Sequence, residues 1–234
     1  MTHAELLAAG FDVDAGAHAR LARYVELLLE HNRRLNLTAI RTAEDAWRVH
    51  ICDSLALLPL VRAAGPRKLL DLGTGGGLPG VPLGCVCTDV QVTLVDATRK
   101  KLAAVERMVA DLGLANVRCM WGRAERLAHE PALREQFGAV TARAFAELRV
   151  LVECAAGFIR PAGRGWFFKT ASSAAEEVAA AETAAARCAL EFVENRAYRL
   201  PMDAAERVIV VYRKMGALAA DLPRGPGRPA KRPL

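Results

Sequence analysis

The sequence contains no uninterrupted apolar run near the ~18 residues that a membrane-spanning helix needs, although 53% of its 234 residues are hydrophobic. The apolar segment at residues 51–61 is interrupted by Asp53 and Ser54. The N-terminus lacks the charged and then apolar pattern of a secretory signal, and it carries Asp12 and Asp14 instead. We therefore expect a cytoplasmic protein that does not enter a membrane.

Cysteine pairs of the metal-binding type are also missing. The six cysteines form no C-x-x-C pair, and Cys85 and Cys87 are too close together and too isolated for a four-ligand zinc site. We expect free, buried thiols in a reducing compartment and no metal centre.

The most informative segment, residues 69–80, reads LLDLGTGGGLPG. An apolar run ends at Asp71, and three glycines follow at alternate positions before Pro79. This pattern predicts a buried strand, a tight loop and the first turn of a helix whose free N–H groups would face a ligand. A nucleotide-like cofactor would then lie directly on the loop backbone, which contains Gly73, Gly75 and Gly77.

The identity of that cofactor is indicated by the loop sequence and by acids that follow it. Dinucleotide sites use G-x-G-x-x-G, whereas here Leu78 follows in place of the last glycine. Asp71 beside the loop disfavours a pyrophosphate and suits a cationic ligand such as S-adenosylmethionine. Asp96 ends the next predicted strand and could bind a ribose diol, and Glu125 follows the third and could meet the adenine amino group. A nicotinamide cofactor is the alternative.

Residues 1–65 are predicted to form a helical extension. Apolar side chains recur at helical spacing in residues 21–35, and Thr42 with an acid three residues later is typical of a helix start. Pro59 and Gly65-Pro66 are expected to end this region.

Residues 66–218 alternate short apolar strands with amphipathic helices, which predicts a mostly parallel, doubly wound α/β sheet. The Ala-rich segment Ser172–Cys188 is expected to be one helix. Leu190–Val193 and Val208–Tyr212 follow as a closing hairpin, so the sheet would end with an antiparallel strand. The predicted parallel strands are Leu69–Asp71, Val90–Asp96, Val117–Trp121, Ala139–Ala142 and Gly165–Lys169.

The segment after the fourth strand reads Thr141-Ala-Arg-Ala-Phe145 and lacks the Asn/Asp-Pro-Pro-aromatic sequence of enzymes that methylate exocyclic amino groups. No Pro-Cys pair for pyrimidine C5 chemistry occurs either. A methyl acceptor that needs no general base, such as guanine N7, is therefore favoured, and alignment could supply about 7–11 kcal/mol. Arg143 at the strand end would suit the O6/N7 edge of guanine or a phosphate.

Further polar residues are expected around this site. His50, Asp53 and Ser54 share one helix face, where they form either a local hydrogen-bonded patch or the wall of a substrate entrance. One helix cannot present them as a hydrolytic triad. Lys169 at the end of the fifth strand is a candidate phosphate contact. A basic collar could be completed by Lys100, Lys101 and Arg123.

The tail, residues 219–234, carries four basic residues and one acidic residue in a chain of formal net charge +6. Its prolines predict an extended segment with exposed charges. Such a segment either contacts nucleic acid or serves only solubility.

Five motifs occur together in an order that resembles the bacterial RsmG family, also called GidB, over residues 21–169. They are Asn36-Leu-Thr-Ala-Ile40, His50-x-x-Asp-Ser-Leu55, Asp71–Gly80, Gly122-Arg-Ala-Glu125 and Thr141-Ala-Arg-Ala144. The resemblance implies a class I (Rossmann-like) methyltransferase domain with a helical N-terminal extension. It also implies methyl transfer from S-adenosylmethionine to guanine N7 in 16S ribosomal RNA, at guanine 527 of the 530 loop.

The resemblance assigns roles to residues. Those that would hold the methyl donor are Gly73, Leu78, Asp96, Ala97, Thr98, Ala124, Glu125 and Arg143. Those that would line the RNA side are His50, Asp53, Arg123, Arg143 and Lys169. One departure is that Thr170 stands where the family usually has glycine after Lys169, which puts the role of that loop in doubt.

The expected partner is 16S ribosomal RNA or a small-subunit particle, bound by a monomer. Three other functions stay open on the sequence: a small-molecule methyltransferase, a non-catalytic RNA-binding assembly factor that retains a donor pocket, and a nicotinamide-dependent dehydrogenase.

Overall fold

A computed structural model describes residues 1–201, 203 and 205–234. Within this part, seven strands form one sheet. They are β1 (Lys68–Leu72), β2 (Gln91–Asp96), β3 (Val117–Trp121), β4 (Phe137–Arg143), β5 (Ile159–Thr170), β6 (Leu190–Arg199) and β7 (Glu206–Lys214).

The strand order is β3-β2-β1-β4-β5-β7-β6. Strands β1 to β5 run parallel, whereas β7 pairs antiparallel with both β5 and β6. The predicted α/β architecture with an antiparallel closing strand is thereby confirmed. Because the parallel strands end at one edge, the residues that follow them lie close together there.

Helices cover both faces of the sheet. Those before the sheet are α1 (His3–Ala8), α2 (Ala15–Leu35), α3 (Ala43–Asp45), a π-helical segment (Ala46–Cys52), α4 (Asp53–Leu55) and α5 (Leu58–Ala64). Those that follow are α6 (Gly80–Val86), α7 (Arg99–Asp111), α8 (Ala124–Leu127), α9 (Leu148–Ala156), α10 (Ala171–Ala180), α11 (Glu182–Arg187) and α12 (Arg228–Lys231).

Two hydrophobic clusters lie on opposite faces of the sheet, because successive side chains of a strand point to opposite sides. Leu69 and Trp166 belong to the cluster that contains the buried residues of α2, whereas Leu70 and Phe167 belong to the cluster that contains those of α9. The N-terminal helices therefore share one core with the sheet. The division of the chain after residue 65 stays a prediction.

Helix boundaries differ from the sequence interpretation at two places. Pro59 does not end a helix but lies in the first turn of α5, where its missing N–H costs nothing. The segment predicted as one helix at residues 172–188 is divided into α10 and α11 at Ala181, which is fully buried.

The tail is not the extended segment that its prolines predict. Leu222, Pro223 and Pro229 are buried. Arg224 forms an ion pair of 2.7 Å with Glu153, whose side chain is inaccessible. The tail therefore packs onto the α/β domain, and Arg228, Lys231 and Arg232 remain exposed as expected.

Candidate active site

The glycine loop between β1 and α6 adopts a backbone that only glycine takes readily. Gly73, Gly75 and Gly77 have φ angles of 72°, 57° and 101°. A Cβ at Gly77 would lie 2.7 Å from Val81, so the loop also packs closely on its surroundings. The Tyr24 hydroxyl of α2 donates to the Gly76 carbonyl at 2.8 Å and ties the helical extension to the loop.

Asp71 holds the loop from beneath. Its Oδ2 accepts hydrogen bonds from the Thr74 hydroxyl at 2.6 Å and from the Gly80 N–H at 2.9 Å. Burial raises the pKa of Asp71 to about 6. Asp71 lines no cavity at this edge of the sheet, so the expectation that its charge faces the cofactor is not supported.

Five amides of the glycine loop, those of Gly73, Thr74, Gly75, Gly77 and Leu78, already donate hydrogen bonds within the protein. The N–H groups of Gly73 and Thr74 donate to the Val95 carbonyl, and that of Gly75 donates to Asp96 Oδ2 at 2.9 Å. The helix that follows donates its Gly80 N–H to Asp71, so the prediction of free N–H groups facing a ligand is wrong. A pyrophosphate needs such free amides, so this loop fits a ligand without phosphate.

Three cavities adjoin this edge of the sheet. Cavity A, of about 260 Å³, lies beyond β2 and β3 and is lined by Asp96, Ala97, Arg123, Ala124 and Glu125 among others. Cavity B, of about 360 Å³, lies over the glycine loop. Cavity C, of about 830 Å³, lies beyond β4 and β5. Together A and B fall within the roughly 300–1,000 Å³ typical of small-molecule sites.

Phe145 borders all three cavities. It follows Ala144, which has a positive φ of 52°, and its ring packs directly on the glycine loop. A Cβ at Gly73 would lie 2.5 Å from Cδ2 of Phe145, so only glycine allows this contact. Cavities A and B share Gly73, Asp96 and Ala97, which makes them two parts of one site.

Cavity A is lined mainly by apolar side chains and carries two carboxylates. Asp96 is half-buried and binds the Gly75 and Thr98 N–H groups through its two oxygens. Glu125 is 8% exposed, and its Oε1 accepts a hydrogen bond of 2.8 Å from the Gly227 N–H. Two carboxylates on one small cavity suit a ribose diol and an amino group.

A polar network joins cavities B and C. Arg143 donates to Asp53 Oδ2 at 2.8 Å and lies 3.3 Å from His50 Nδ1. Since a guanidinium only donates, Nδ1 accepts, and Nε2 carries the proton that it donates to Thr38 at 2.6 Å. Burial and the nearby Arg143 charge lower the pKa of His50 to about 4, so its ring is neutral at physiological pH.

Tyr198 and Arg207, which the sequence did not indicate, complete this network from β6 and β7. The Tyr198 hydroxyl donates to Asp53 Oδ1 at 2.5 Å, and Arg207 NH1 lies 3.8 Å from the same oxygen. Burial and the Asp53 charge raise the pKa of Tyr198, which keeps it protonated. Asp53 thus accepts hydrogen bonds from Arg143 and Tyr198 and pairs with the Arg207 charge, and these three partners come from distant parts of the chain.

Comparison with known proteins decides the family. A family model described as "GidB: rRNA small subunit methyltransferase G" matches residues 17–200. The chain belongs to this family. It is 38% identical over 212 residues to "Ribosomal RNA small subunit methyltransferase G" of Carboxydothermus hydrogenoformans, covering 91% of this chain and 89% of that protein. The protein of the same name from Moorella thermoacetica is 33% identical over 245 residues and is covered completely.

A solved structure supports the fold. Fibrillarin of Aeropyrum pernix, in complex with natively bound S-adenosyl-L-methionine, matches with a TM-score of 0.50 at 14% identity. The match covers 62% of this chain and 66% of that chain. The predicted membership of the RsmG (GidB) family and the class I methyltransferase fold are both confirmed.

The residues that the RsmG (GidB) family resemblance implies for the donor are mostly brought together. Gly73, Leu78, Asp96, Ala97, Ala124, Glu125 and Arg143 each line cavity A or B. Gly75 also lines cavity B, whereas Gly77 and Thr98 line none of the three cavities. Gly77 packs on Val81, and Thr98 donates its N–H to Asp96 at 2.7 Å.

On the RNA side implied for a GidB family member, His50, Asp53, Arg143 and Lys169 line cavity C, and exposed Arg123 lines cavity A. Of the predicted basic collar, Lys101 lines cavity B and Lys100 lines no cavity. Among described residues, no group of His, Cys, Asp and Glu could hold a metal ion. No helix of the described part is both long and apolar enough to cross the bilayer.

Lys169, the candidate phosphate contact, is already engaged within the protein. Its ammonium group pairs with Glu177 of α10 and donates to the Ala146 carbonyl at 2.7 Å. Glu177 in turn accepts the Leu148 N–H at 2.7 Å. Burial raises the pKa of Glu177, but the hydrogen bonds from Lys169 and Leu148 outweigh it and lower the pKa overall. The pair therefore fixes the loop that carries Phe145.

Proposed function

We propose that this chain transfers the methyl group of S-adenosylmethionine to N7 of a guanine in small-subunit ribosomal RNA, at guanine 527 of the 530 loop. The observation that carries the proposal is the continuity of the three cavities at Phe145 and Arg143. Cavity A has the size of a nucleoside and carries two carboxylates, and cavity B lies over a glycine loop that fits a ligand without phosphate. Both adjoin the larger cavity C, which could admit a base.

The donor would lie across cavities A and B. Asp96 would accept hydrogen bonds from the ribose hydroxyls, and Glu125 would accept one from the adenine amino group. The loop of Gly73 and Gly75, with Leu78, would carry the aminoacyl part near Thr38 and His50. Since five of the loop amides are satisfied internally, a dinucleotide phosphate would find few donors there, which speaks against the dehydrogenase alternative.

The guanine would enter cavity C, unstacked from its loop. Bound S-adenosylmethionine supplies an electrophilic methyl group on a sulfonium centre. Guanine N7 carries an in-plane lone pair and can form the new N–C bond without losing a proton, while the C–S electron pair goes to sulfur. The chain therefore needs no general base, and alignment of the reactants by its cavities is the main contribution.

The network around Asp53 fits this chemistry. His50 is neutral, and both its ring nitrogens are already hydrogen-bonded, so it does not act as a base. Arg143 uses NH1 and one side of NH2 on the protein, which leaves N–H groups for the O6/N7 edge of guanine or for the donor. Asp53, Tyr198 and His50 would hold the guanidinium in that orientation.

We propose a cytoplasmic location, because the proposed substrate is ribosomal RNA. We propose that it acts as a monomer, since residues of a single chain line all three cavities. Exposed basic residues would contact RNA phosphates, so that binding would weaken as salt rises.

The deciding experiment is transfer of a tritiated methyl group to 16S RNA and to small subunits from cells that lack this gene. We expect label in one guanine, mapped by chemical cleavage at 7-methylguanine, and none in RNA in which guanine 527 is replaced by adenine. The matched variant Asp96→Asn should lower transfer and donor binding together.

Each alternative has a distinct outcome in the same assay. Label in a metabolite and none in RNA would indicate a small-molecule methyltransferase. RNA binding that is independent of donor, with no transfer by the unaltered protein, would indicate an assembly factor. Binding of NADH in preference to S-adenosylhomocysteine would indicate a dehydrogenase.

A further inference from the structure

The C-terminal tail closes one side of cavity A. Gly227 and Ala230 line this cavity together with Ala124 and Glu125. Gly227 is the N-cap of α12 and has a φ of 77°, a conformation in which its N–H reaches Glu125 Oε1 at 2.8 Å. The match to the GidB family covers residues 17–200, so Gly227 and Ala230 lie outside the matched part of the chain.

The tail is anchored firmly before it reaches the cavity. Glu153 of α9 is inaccessible and accepts the Arg224 N–H, Nε–H and NH2 groups at 2.8, 2.9 and 2.7 Å. The hydrogen bond to Glu153 raises the pKa of Arg224, which keeps the guanidinium charged. Arg134 holds the preceding carbonyl of Leu222 at 2.8 Å, and His129 lies 2.8 Å from that of Pro223. Residues 222–224 are thus fixed by buried Glu153, half-buried Arg134 and exposed His129.

The hydrogen bond from the Gly227 N–H sets the orientation of the Glu125 carboxylate and decides which of its oxygens can bind a ligand. Within the described residues, the Gly227 N–H is the one hydrogen-bond donor to the Glu125 carboxylate, and it occupies Oε1. The other oxygen, Oε2, is left to accept a hydrogen bond from a ligand. A carboxylate held by a backbone N–H has a defined orientation, which a freely rotating side chain at the same place would lack.

We infer that two residues of the tail are a working part of the methyl-donor site: Gly227 orients Glu125 toward the adenine amino group, and Ala230 forms the outer wall of the adenine subsite. This inference rests on the proposed function, because it takes the ligand of cavity A to be the adenosine part of S-adenosylmethionine. Gly227 is a positioning residue that acts through Glu125, and Ala230 borders the ligand directly.

The test compares full-length variants in donor binding without RNA, measured by calorimetry. Gly227→Pro removes the N–H and also forces φ to about −65°, whereas Gly227→Ala keeps the N–H and places a Cβ at the same positive φ. Gly225→Ala is the neutral control, since a Cβ there meets nothing within 4 Å. Ala230→Trp narrows the cavity from an exposed position, which leaves the fold intact.

Comparing the affinities for two ligands distinguishes a loss of Glu125 orientation from a general loss of donor binding. S-adenosylhomocysteine carries the 6-amino group, and S-inosylhomocysteine carries an oxygen there. We expect the unaltered protein to prefer the adenosyl compound by about tenfold or more, on the scale of one hydrogen bond to a charged group. Gly227→Pro should remove most of this preference, Gly227→Ala less of it, and Gly225→Ala none. Ala230→Trp should weaken binding of both ligands.

An unchanged preference in Gly227→Pro, with unchanged affinity in Ala230→Trp, would overturn the inference and leave the proposed function standing. Absence of donor binding by the unaltered protein would instead overturn the proposed function. In methyl transfer to RNA, Gly227→Pro should raise KM for the donor while kcat at saturating donor is retained. A lower kcat with an unchanged KM would also contradict the assigned role.

Discussion

Asp53 of α4 and Arg143 at the end of β4 form a salt bridge of 2.8 Å across 90 positions of the chain. Their side chains are 4% and 17% exposed, so both charges have left bulk water. The pair joins the helical extension to the strand that carries Phe145 on its following loop. The position of the helical extension is therefore linked to the boundary between cavity B, proposed for the methyl donor, and cavity C, proposed for the guanine.

Removing one partner of this pair should cost much more than removing one partner of an exposed pair. We expect Asp53→Asn to lower the free energy of unfolding by about 3 kcal/mol, because it leaves the Arg143 charge uncompensated. The control is Arg149→Ala, which breaks an exposed pair of the same 2.8 Å length with Glu147 and should cost less than about 1 kcal/mol. Urea denaturation of both variants measures the two costs, and equal costs would contradict the buried character of the pair.

The sequence revealed those parts of the site that depend on local pattern. A strand end followed by glycines or by an acid places Gly73, Asp96 and Glu125 correctly, because parallel strands end at one edge. Tyr198 and Arg207 could not be found in this way. Tyr198 meets Asp53 across 145 positions, and only the antiparallel pairing of β7 with β5 and β6 brings that part of the chain to the site.

The tail and Lys169 show a second reason why parts of the structure could not be predicted from the sequence. Proline and glycine content predicts an extended tail, but it says nothing of an inaccessible carboxylate, Glu153, that can bind Arg224. A basic residue at a strand end predicts a phosphate contact, but it says nothing of Glu177 on a later helix. Composition indicates which charges a segment carries, whereas their partners depend on tertiary packing.

The low pKa of His50 should make stability depend on pH. In the unfolded chain this imidazole gains a proton near pH 6.5, whereas burial and Arg143 hold the pKa of His50 at about 4 in the folded protein. The unfolded state therefore binds more protons between these values, and stability present above pH 6.5 is lost as pH falls toward 4. We expect the unaltered protein to lose up to roughly 3 kcal/mol more than His50→Gln over this window.

Two measurements check this expectation. Denaturation of both proteins from pH 7 to pH 4 gives the difference in stability, and an NMR titration gives the pKa of His50 directly. Arg143→Gln should raise that pKa, because it removes the second cause of the shift, but burial should still hold it below 6.5. A titration of His50 near pH 6.5 in the unaltered protein would refute the prediction.

The contact between Gly73 and Phe145 predicts a strong coupling between these residues. In the unaltered background, Gly73→Ala should weaken donor binding because its Cβ would displace the Phe145 ring from the loop. With Phe145→Ala already present, the same change should cost less, and only the strain of a positive φ remains. A double-mutant cycle on donor affinity should give a coupling of about 1–3 kcal/mol. Additive effects would mean that the ring does not press on the loop when donor binds.

The three exposed basic residues of the tail predict a specific salt dependence of RNA binding. Arg228, Lys231 and Arg232 lie on or directly after α12, next to cavity A, and are exposed to solvent. If each neutralises one phosphate, replacing all three with alanine should reduce the slope of log K against log salt by about 2–3.

Arg187→Ala, on α11 and away from the cavities, is the single-charge control and should leave the slope unchanged. Donor affinity in the absence of RNA should be the same in the triple variant as in the unaltered protein, because Gly227 and Ala230 are retained. RNA binding with an unaltered slope in the triple variant would mean that these charges serve only solubility. The tail would then act on the donor alone, through the wall that it forms against Glu125.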